Sequence, residues 1–509
     1  MKNRNITFTA ILFALVCFAL IPRAQAVGPD TDGAIPGSNN GEGIGVLVSR
    51  TGGVWNTGTG FEALNHLTGG NQNTATGLRA LTSDTNGGFN TATGVLSLFS
   101  NINGFFNSAT GAYSLANNIS GIHNTANGYA ALYRNTANDN TATGFAALYH
   151  NTTGFQNTAN GAFALILNTT GSDNTANGYQ ALFHNTTGAN NTAIGVNALG
   201  VNTTGTGNTA IGNLALIFND TGGSNTATGV GALFHNSTGD HNTANGALAL
   251  SSNVGGNNNT AVGDGALSSN VATGFNTAVG VDALHDNTSG DSNTAIGGSA
   301  LFNNNTGSNN IAVGVDAGLG VSAADHVICI GADGADVSNS CYIGQIFGQS
   351  VALGSGTPVL VDSDGKLGTV LSSRRFKHDI KPMDKASEAI LALKPVTFQY
   401  KSDKTNTPQF GLIAEEVAQV NPDLAVRDKN GEILSVRYDQ VNAMLLNEFL
   451  KEHKRVEQLK SDFQVTVAEQ QKEIQALTAS VKEQAAQIQK VSAQLEVSKP
   501  ATKVVLSNP

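Results

Sequence analysis

Asn174-Thr-Ala-Asn-Gly-Tyr-Gln-Ala-Leu-Phe-His-Asn-Thr-Thr-Gly-Ala-Asn190 is followed at once by Asn191-Thr-Ala-Ile-Gly-Val-Asn-Ala-Leu-Gly-Val-Asn-Thr-Thr-Gly-Thr-Gly207. The shared pattern, Asn-Thr-Ala-x-Gly-x-x-Ala-Leu-x-x-Asn-Thr-Thr-Gly-x-x, extends in both directions. Its opening Asn falls at Asn56, Asn73, Asn90, Asn107, Asn124 and Asn140, then from Asn157 to Asn310, in steps of 17 with a single 16 between Asn124 and Asn140. A period this strict means one structural unit stacked on itself. The Leu that recurs once per unit, from Leu64 to Leu301, is an inward ladder. Neither a helical period nor a long strand fits between the glycines. Short strands fit, joined at Gly and Asn corners that accept positive φ.

The fold expected is therefore mainly β: a parallel β-solenoid or β-roll rod over residues 55–320, with coils roughly 4.8 Å apart. Stacked Asn and Thr side chains can hydrogen-bond along their columns. One Leu and one or two Ala per coil make a thin core, and sharing it between chains points to a homotrimer.

Composition agrees with a repeat fibre rather than a globular enzyme: 60 glycines and only 13% charged residues in 509. A net charge of -10 argues against nucleic-acid binding, which needs clustered Lys and Arg. His150, His184 and His235 recur near Asn-Thr-Thr or Asn-Ser-Thr, yet Tyr133-Arg134 and Ile217-Phe218 take similar places, which suits a surface ladder rather than a metal row. Aspartates are too sparse for a calcium roll, so no metal or cofactor is expected. Thr-Ala-Thr in four copies, beginning at Thr74, Thr91, Thr141 and Thr226, raises an ice-binding face; Asn, Ile or Val in other copies argue against it.

The N-terminus reads as an export signal over residues 1–26. Lys2 and Arg4 precede the apolar stretch Ile11 to Ile21, and Ala24-Gln25-Ala26 is a small-x-small cleavage site. Cys17 lacks the context of a lipid-attachment site. A secreted or cell-surface protein follows, with residues 27–54 as its N-terminal segment and no transmembrane segment in the mature chain. In that compartment Cys329 and Cys341 could pair as a disulfide on adjacent rungs, or stand as two small buried hydrophobes.

The repeat region resembles the head of YadA-like trimeric autotransporter adhesins, a left-handed parallel β-roll. Asn191-Thr192-Ala193-Ile194-Gly195 and Asn293-Thr294-Ala295-Ile296-Gly297 carry that likeness most closely. The membrane barrel of that family has no counterpart in the helical end of this chain.

Residues 321–371 read as a β neck, and at Leu371-Ser372-Ser373-Arg374-Arg375-Phe376-Lys377 the chain becomes lysine-bearing and helix-forming. From there to about Arg455 a series of motifs appears in order: Ser372 to Ile380, Leu393-Lys394-Pro395-Val396-Thr397-Phe398-Gln399-Tyr400, Phe410 to Val417, Asn421-Pro422 and Val436-Arg437-Tyr438. These resemble the self-cleaving intramolecular chaperone at the C-termini of phage endosialidases and tail spikes. The resemblance implies a domain at 372–455 that trimerises, guides folding of the fibre before it and is released by a cut. The bond would be Leu371–Ser372, with Ser372 as nucleophile and Lys377 as base, and Ser373 the alternative nucleophile. A serine hydroxyl needs a proton acceptor, which lysine becomes when burial lowers its pKa. Five residues apart, the two side chains meet only across a turn or between chains. Arg374 and Arg375 are expected to pair with acids or hold local backbone.

Val467, Ile474, Val481, Ile488 and Leu495, with Gln470, Leu477, Gln484 and Val491 between them, form an a/d heptad seam, and Val456, Leu459 and Phe463 extend it upstream. A coiled coil is expected over 456–498, ended by Pro500, with a tail at 499–509. The reading is an exported trimeric fibre, adhesin-like or tail-fibre-like, with a self-releasing chaperone. The alternatives are a non-cleaving fibre clamped by its coiled coil and a serine peptidase acting on other proteins. A glycan or another cell-surface ligand suits the polar rod, and the sequence does not choose.

Overall fold

Each Thr-Ala-x triplet forms a three-residue strand that pairs in parallel with the triplet one coil on, Thr175 opposite Thr192 and Ala176 opposite Ala193. These strands build a 20-stranded sheet that begins at Gly33–Ile35 and Asn39–Glu42 and ends at Cys341–Ile343. The fold is thus a parallel β-solenoid with a 17-residue repeat. In this computed structural model the described residues are 33–35, 37–347, 349, 357–362, 365–369, 371–401, 403–428 and 430–498. The leader, its cleavage site, Pro500 and the tail lie outside them. The chain divides into two units, residues 1–349 and 350–509.

Within a coil, the middle residue of the strand points inward and its two neighbours outward. The inward Ala, the second Ala and the Leu are buried, as Ala176, Ala181 and Leu182 show, with buried Ser97 and Ser114 in place of the second Ala in two coils. The Leu ladder is the core that the period predicts.

In most coils two asparagines are buried beside it, such as Asn174 and Asn185. Each amide is held by hydrogen bonds, which removes the penalty of burying it. Oδ1 of Asn157 accepts the backbone N–H of Asn174 at 3.1 Å, and Asn174 Nδ2 donates to the Gly188 carbonyl at 2.9 Å. In the second column Asn185 Nδ2 donates to Asn168 Oδ1 at 2.8 Å and to the Gly188 carbonyl at 2.9 Å. These ladders fill the volume that the thin-core reading gave to neighbouring chains, so the interior closes within one chain. The 16-residue coil interrupts the second ladder: Asn118 Oδ1 has no partner there, and Asn135 Nδ2 turns to the Ala137 carbonyl.

Positive φ falls elsewhere than the expected Gly and Asn corners alone. Gly178 takes it (φ 146), but so do Gln180 (φ 57), the core Leu182 (φ 52) and Asn190 (φ 58), and this recurs coil after coil. Left-handed φ costs a non-glycine roughly 1–2 kcal/mol. Full burial of the Leu side chain, worth about 1.5–3 kcal/mol, offsets that cost at the Leu position. Gly58, which breaks the Ala column, is explained by its neighbour: a Cβ there would sit 2.5 Å from Val46 Cγ1.

The stack runs on through Ile328–Ile330 and Cys341–Ile343, inside the segment read as a neck. Asp336 ties down the last turn, accepting the N–H groups of Ser322, Ala323 and Ala324. Those bonds hold its carboxyl well below the usual range.

Among the described residues, the second unit contains three antiparallel hairpins, Val359–Val361 with Leu367–Thr369, Val396–Phe398 with Gln409–Gly411, and Ala425–Arg427 with Ile433–Val436. A short helix, Ala414–Val420, and a 60-residue helix, Tyr438–Val497, complete it. Its core is small: Val417, Leu424, Val436 and Met444 are buried, with Met383, Ile390, Leu393, Leu412 and Val441 packed around them. Among the described residues, no helix is long and apolar enough to cross a membrane.

Candidate functional site

Ser373 to Lys377 form one tight turn. Arg374–Phe376 is a 3-10 helix, closed by Phe376 N–H donating to the Ser373 carbonyl at 3.0 Å and Lys377 N–H to the Arg374 carbonyl at 3.1 Å. A 3-10 turn advances three residues per revolution, with Ser373 and Lys377 extended on either side of it. The turn therefore folds the chain back and brings Lys377 Nζ to 2.9 Å from Ser372 Oγ. The two groups meet within one chain, by the across-a-turn route. Arg375 lies over the Phe376 ring, 4.6 Å from its centroid. His378 Nδ1 is 2.8 Å from Asp379 Oδ2.

Leu371, Ser372 and Lys377 are all exposed in the single chain.

The motifs that follow position the unit's core. Asn421 Oδ1 accepts the Asp423 N–H at 3.0 Å, so Asn-Pro caps the short 3-10 turn Pro422–Leu424. The Leu412 N–H donates to Tyr438 Oη at 3.0 Å. Gly411 makes room for that bond, since a Cβ there would lie 2.8 Å from the Tyr438 oxygen. This ties the Phe410-Gly411-Leu412 strand end to the start of the long helix.

A second serine–lysine group escaped the sequence reading. Ser387 is fully buried, donates to Glu448 Oε1 at 2.5 Å and accepts from Asn447 Nδ2 at 2.7 Å. Lys451 Nζ lies 2.6 Å from Glu448 and 3.4 Å from Ser387. The hydrogen bond from Lys451 holds the Glu448 carboxyl below its ordinary range, and the same bond raises the lysine. With its hydroxyl buried against a carboxylate, Ser387 fastens the segment Asp384–Ala392 to the long helix. Only the register of two elements far apart in sequence brings these residues together, and no motif marks them.

The other singled-out residues lie in the rod. Strand Ile328–Ile330 meets Cys341–Ile343 with Cys329 opposite Tyr342 and Cys341 opposite Ile328. That offset of one residue sends the thiols to opposite faces: Cys329 is buried, Cys341 exposed, and both are free. Burial pushes the Cys329 thiol up. His184 and His235 each turn Nδ1 to a carbonyl, of Gly200 at 3.0 Å and of Ser251 at 3.1 Å. Burial, then Arg134, pushes His150 down. Among the described residues, no three His, Cys, Asp or Glu gather as a metal site.

Searches among curated proteins and among solved structures find no match to the chain. A family model described as "Chaperone of endosialidase" matches residues 372–426. That segment begins at the serine of the Ser372–Lys377 pair, and the β-solenoid precedes it in the chain.

Proposed function

We propose that this chain is an exported fibre whose C-terminal segment assembles three copies, helps their rods to fold, and then cuts itself free between Leu371 and Ser372. The Lys377 Nζ–Ser372 Oγ contact of 2.9 Å, at the first residue of the chaperone match, carries this reading. Ser372 Oγ attacks the Leu371 carbonyl carbon and gives its proton to Lys377. The C–N bond breaks as the Ser372 nitrogen takes up a proton, leaving the Leu371 acyl group as an ester on Oγ. Water then hydrolyses the ester, yielding a carboxylate at Leu371 and a free amine and hydroxyl at Ser372. In the assembly neighbouring chains would cover the exposed turn, and burial of that kind favours the neutral form of a lysine amine. Cutting would then wait for correct assembly.

The exposed heptad seam of the long helix supports the same assembly without a cut, as a permanent clamp. Intact-mass measurement on purified protein separates the two. Wild type should give two fragments that divide at 371/372. Ser372→Ala should stay whole, and Lys377→Ala should cut on the order of 10²–10⁴ times more slowly, the usual contribution of a general base. A wild-type chain that assembles yet stays whole rejects the cut and leaves the clamp. Cleavage of an added protein would favour a peptidase instead.

A further inference from the structure

Two side chains per strand point out from the rod's sheet, the first and third of each triplet. In the earlier coils they are mostly Thr, Ser and Asn, with Ile194 and Ile211 as exceptions. From Thr260–Val262 onward the third column reads Val262, Val279, Ile296, Val313, Ile330 and Ile343, and the first becomes Ile311, Ile328 and Cys341 over the last three strands. Ile296 is 44% exposed, Val313 40%, Ile330 45% and Ile343 44%. Across the six strands from Thr260–Val262 to Cys341–Ile343 neither column contains a charged residue. Six adjacent strands make an apolar strip about 24 Å long at the ordinary strand spacing.

The coil does not need this strip in order to fold. Thr76, Thr93 and Thr143 hold the same place in earlier coils of the same geometry. Contiguous exposed apolar surface without a folding role marks a contact.

We propose that this Val/Ile strip is where rods of neighbouring copies of this chain pack side by side. The occupant is a second copy for two reasons. An uncharged strip meets its own duplicate without like-charge repulsion. It also occupies the last coils of the rod, about thirty residues ahead of Ser372, so copies joined through their long helices would hold these strips at high effective concentration. The inference rests on the assembly reading above and adds the surface on which the rods meet.

The full-length protein carries its own probe, since Cys341 lies in the strip and Cys329 is buried. A short bismaleimide should join wild-type copies, and Cys341→Ser should abolish the joining. In the Cys341→Ser background, Ile296→Cys should be joined at least tenfold more than Thr91→Cys. Replacing Ile296, Val313 and Ile330 together by Thr, the residue of earlier coils, should cut Cys341 joining at least tenfold with the circular dichroism unchanged. If the chain sediments as an oligomer but neither thiol joins, or Thr91→Cys joins equally, the strip is not the contact and the assembly reading stands. If the chain sediments as a monomer, both fail.

Discussion

Asp84 is the one carboxylate in the buried second column, where other coils place Asn and where Leu67 precedes it. Its Oδ1 accepts the Gly87 N–H at 2.8 Å, but Oδ2 is buried with no protein partner. Burial pushes its pKa up from 3.8 to about 7, against the lowering effect of the bonds from Gly87 and Asn101. A raised carboxyl pKa means that the folded coil holds its proton more tightly than the unfolded chain. Stability from this residue is therefore present below about pH 4, declines as pH rises toward 7, and stays lost above that. The shift corresponds to on the order of 4 kcal/mol. Asp84→Asn should slow amide exchange in residues 73–104 at pH 8, and the gain should vanish at pH 4. A gain of equal size at both pH values would assign the effect to amide geometry instead of charge.

At the scale of one coil, the glycine after the strand is fixed by its neighbour as well as by φ. A Cβ on Gly178 would lie 2.4 Å from the Gly195 carbonyl oxygen, and its φ is 146. The obstacle is backbone, which cannot swing aside. Gly178→Ala should cost on the order of 3 kcal/mol or more, combining backbone strain with overpacking. Because coils couple only to neighbours, the loss should appear as faster exchange in the adjoining coils and leave distant ones protected. How much could be read from sequence follows from the same local rules. The Leu ladder was legible because a constant apolar residue in a fixed period has one reading. That asparagines stack and bond along a column was legible too, but not that they face inward, because an amide looks like surface until its partners on the next coil are known. The Ser372–Lys377 contact was legible as a condition, a turn between them, whereas the Ser387–Glu448–Lys451 lock depends on residues some sixty apart in sequence.

At the scale of the whole molecule, the two units pose opposite problems. The rod fills its own interior, with Leu, Ala and, in most coils, two bonded Asn. The C-terminal unit buries few apolar side chains and leaves a long seam in water, with Ile474 58%, Val481 58% and Ile488 69% exposed. A 60-residue helix of some 90 Å gains little from its own hydrogen bonds and relies on packing of its apolar stripe. Heptad spacing is the pattern by which the assembly proposed above would pair that stripe with other copies. In that assembly, replacing Ile474 and Ile488 by Asp would remove about 1.5–3 kcal/mol of burial at each site in every chain, and would add buried like charges. The double variant should sediment as a monomer at concentrations where wild type associates. If cutting waits on assembly, its Leu371–Ser372 bond should also survive, although Ser372 and Lys377 are untouched. A monomeric variant that still cuts at the wild-type rate would show that one chain's turn suffices, and the role of neighbouring chains in activating Lys377 would be lost.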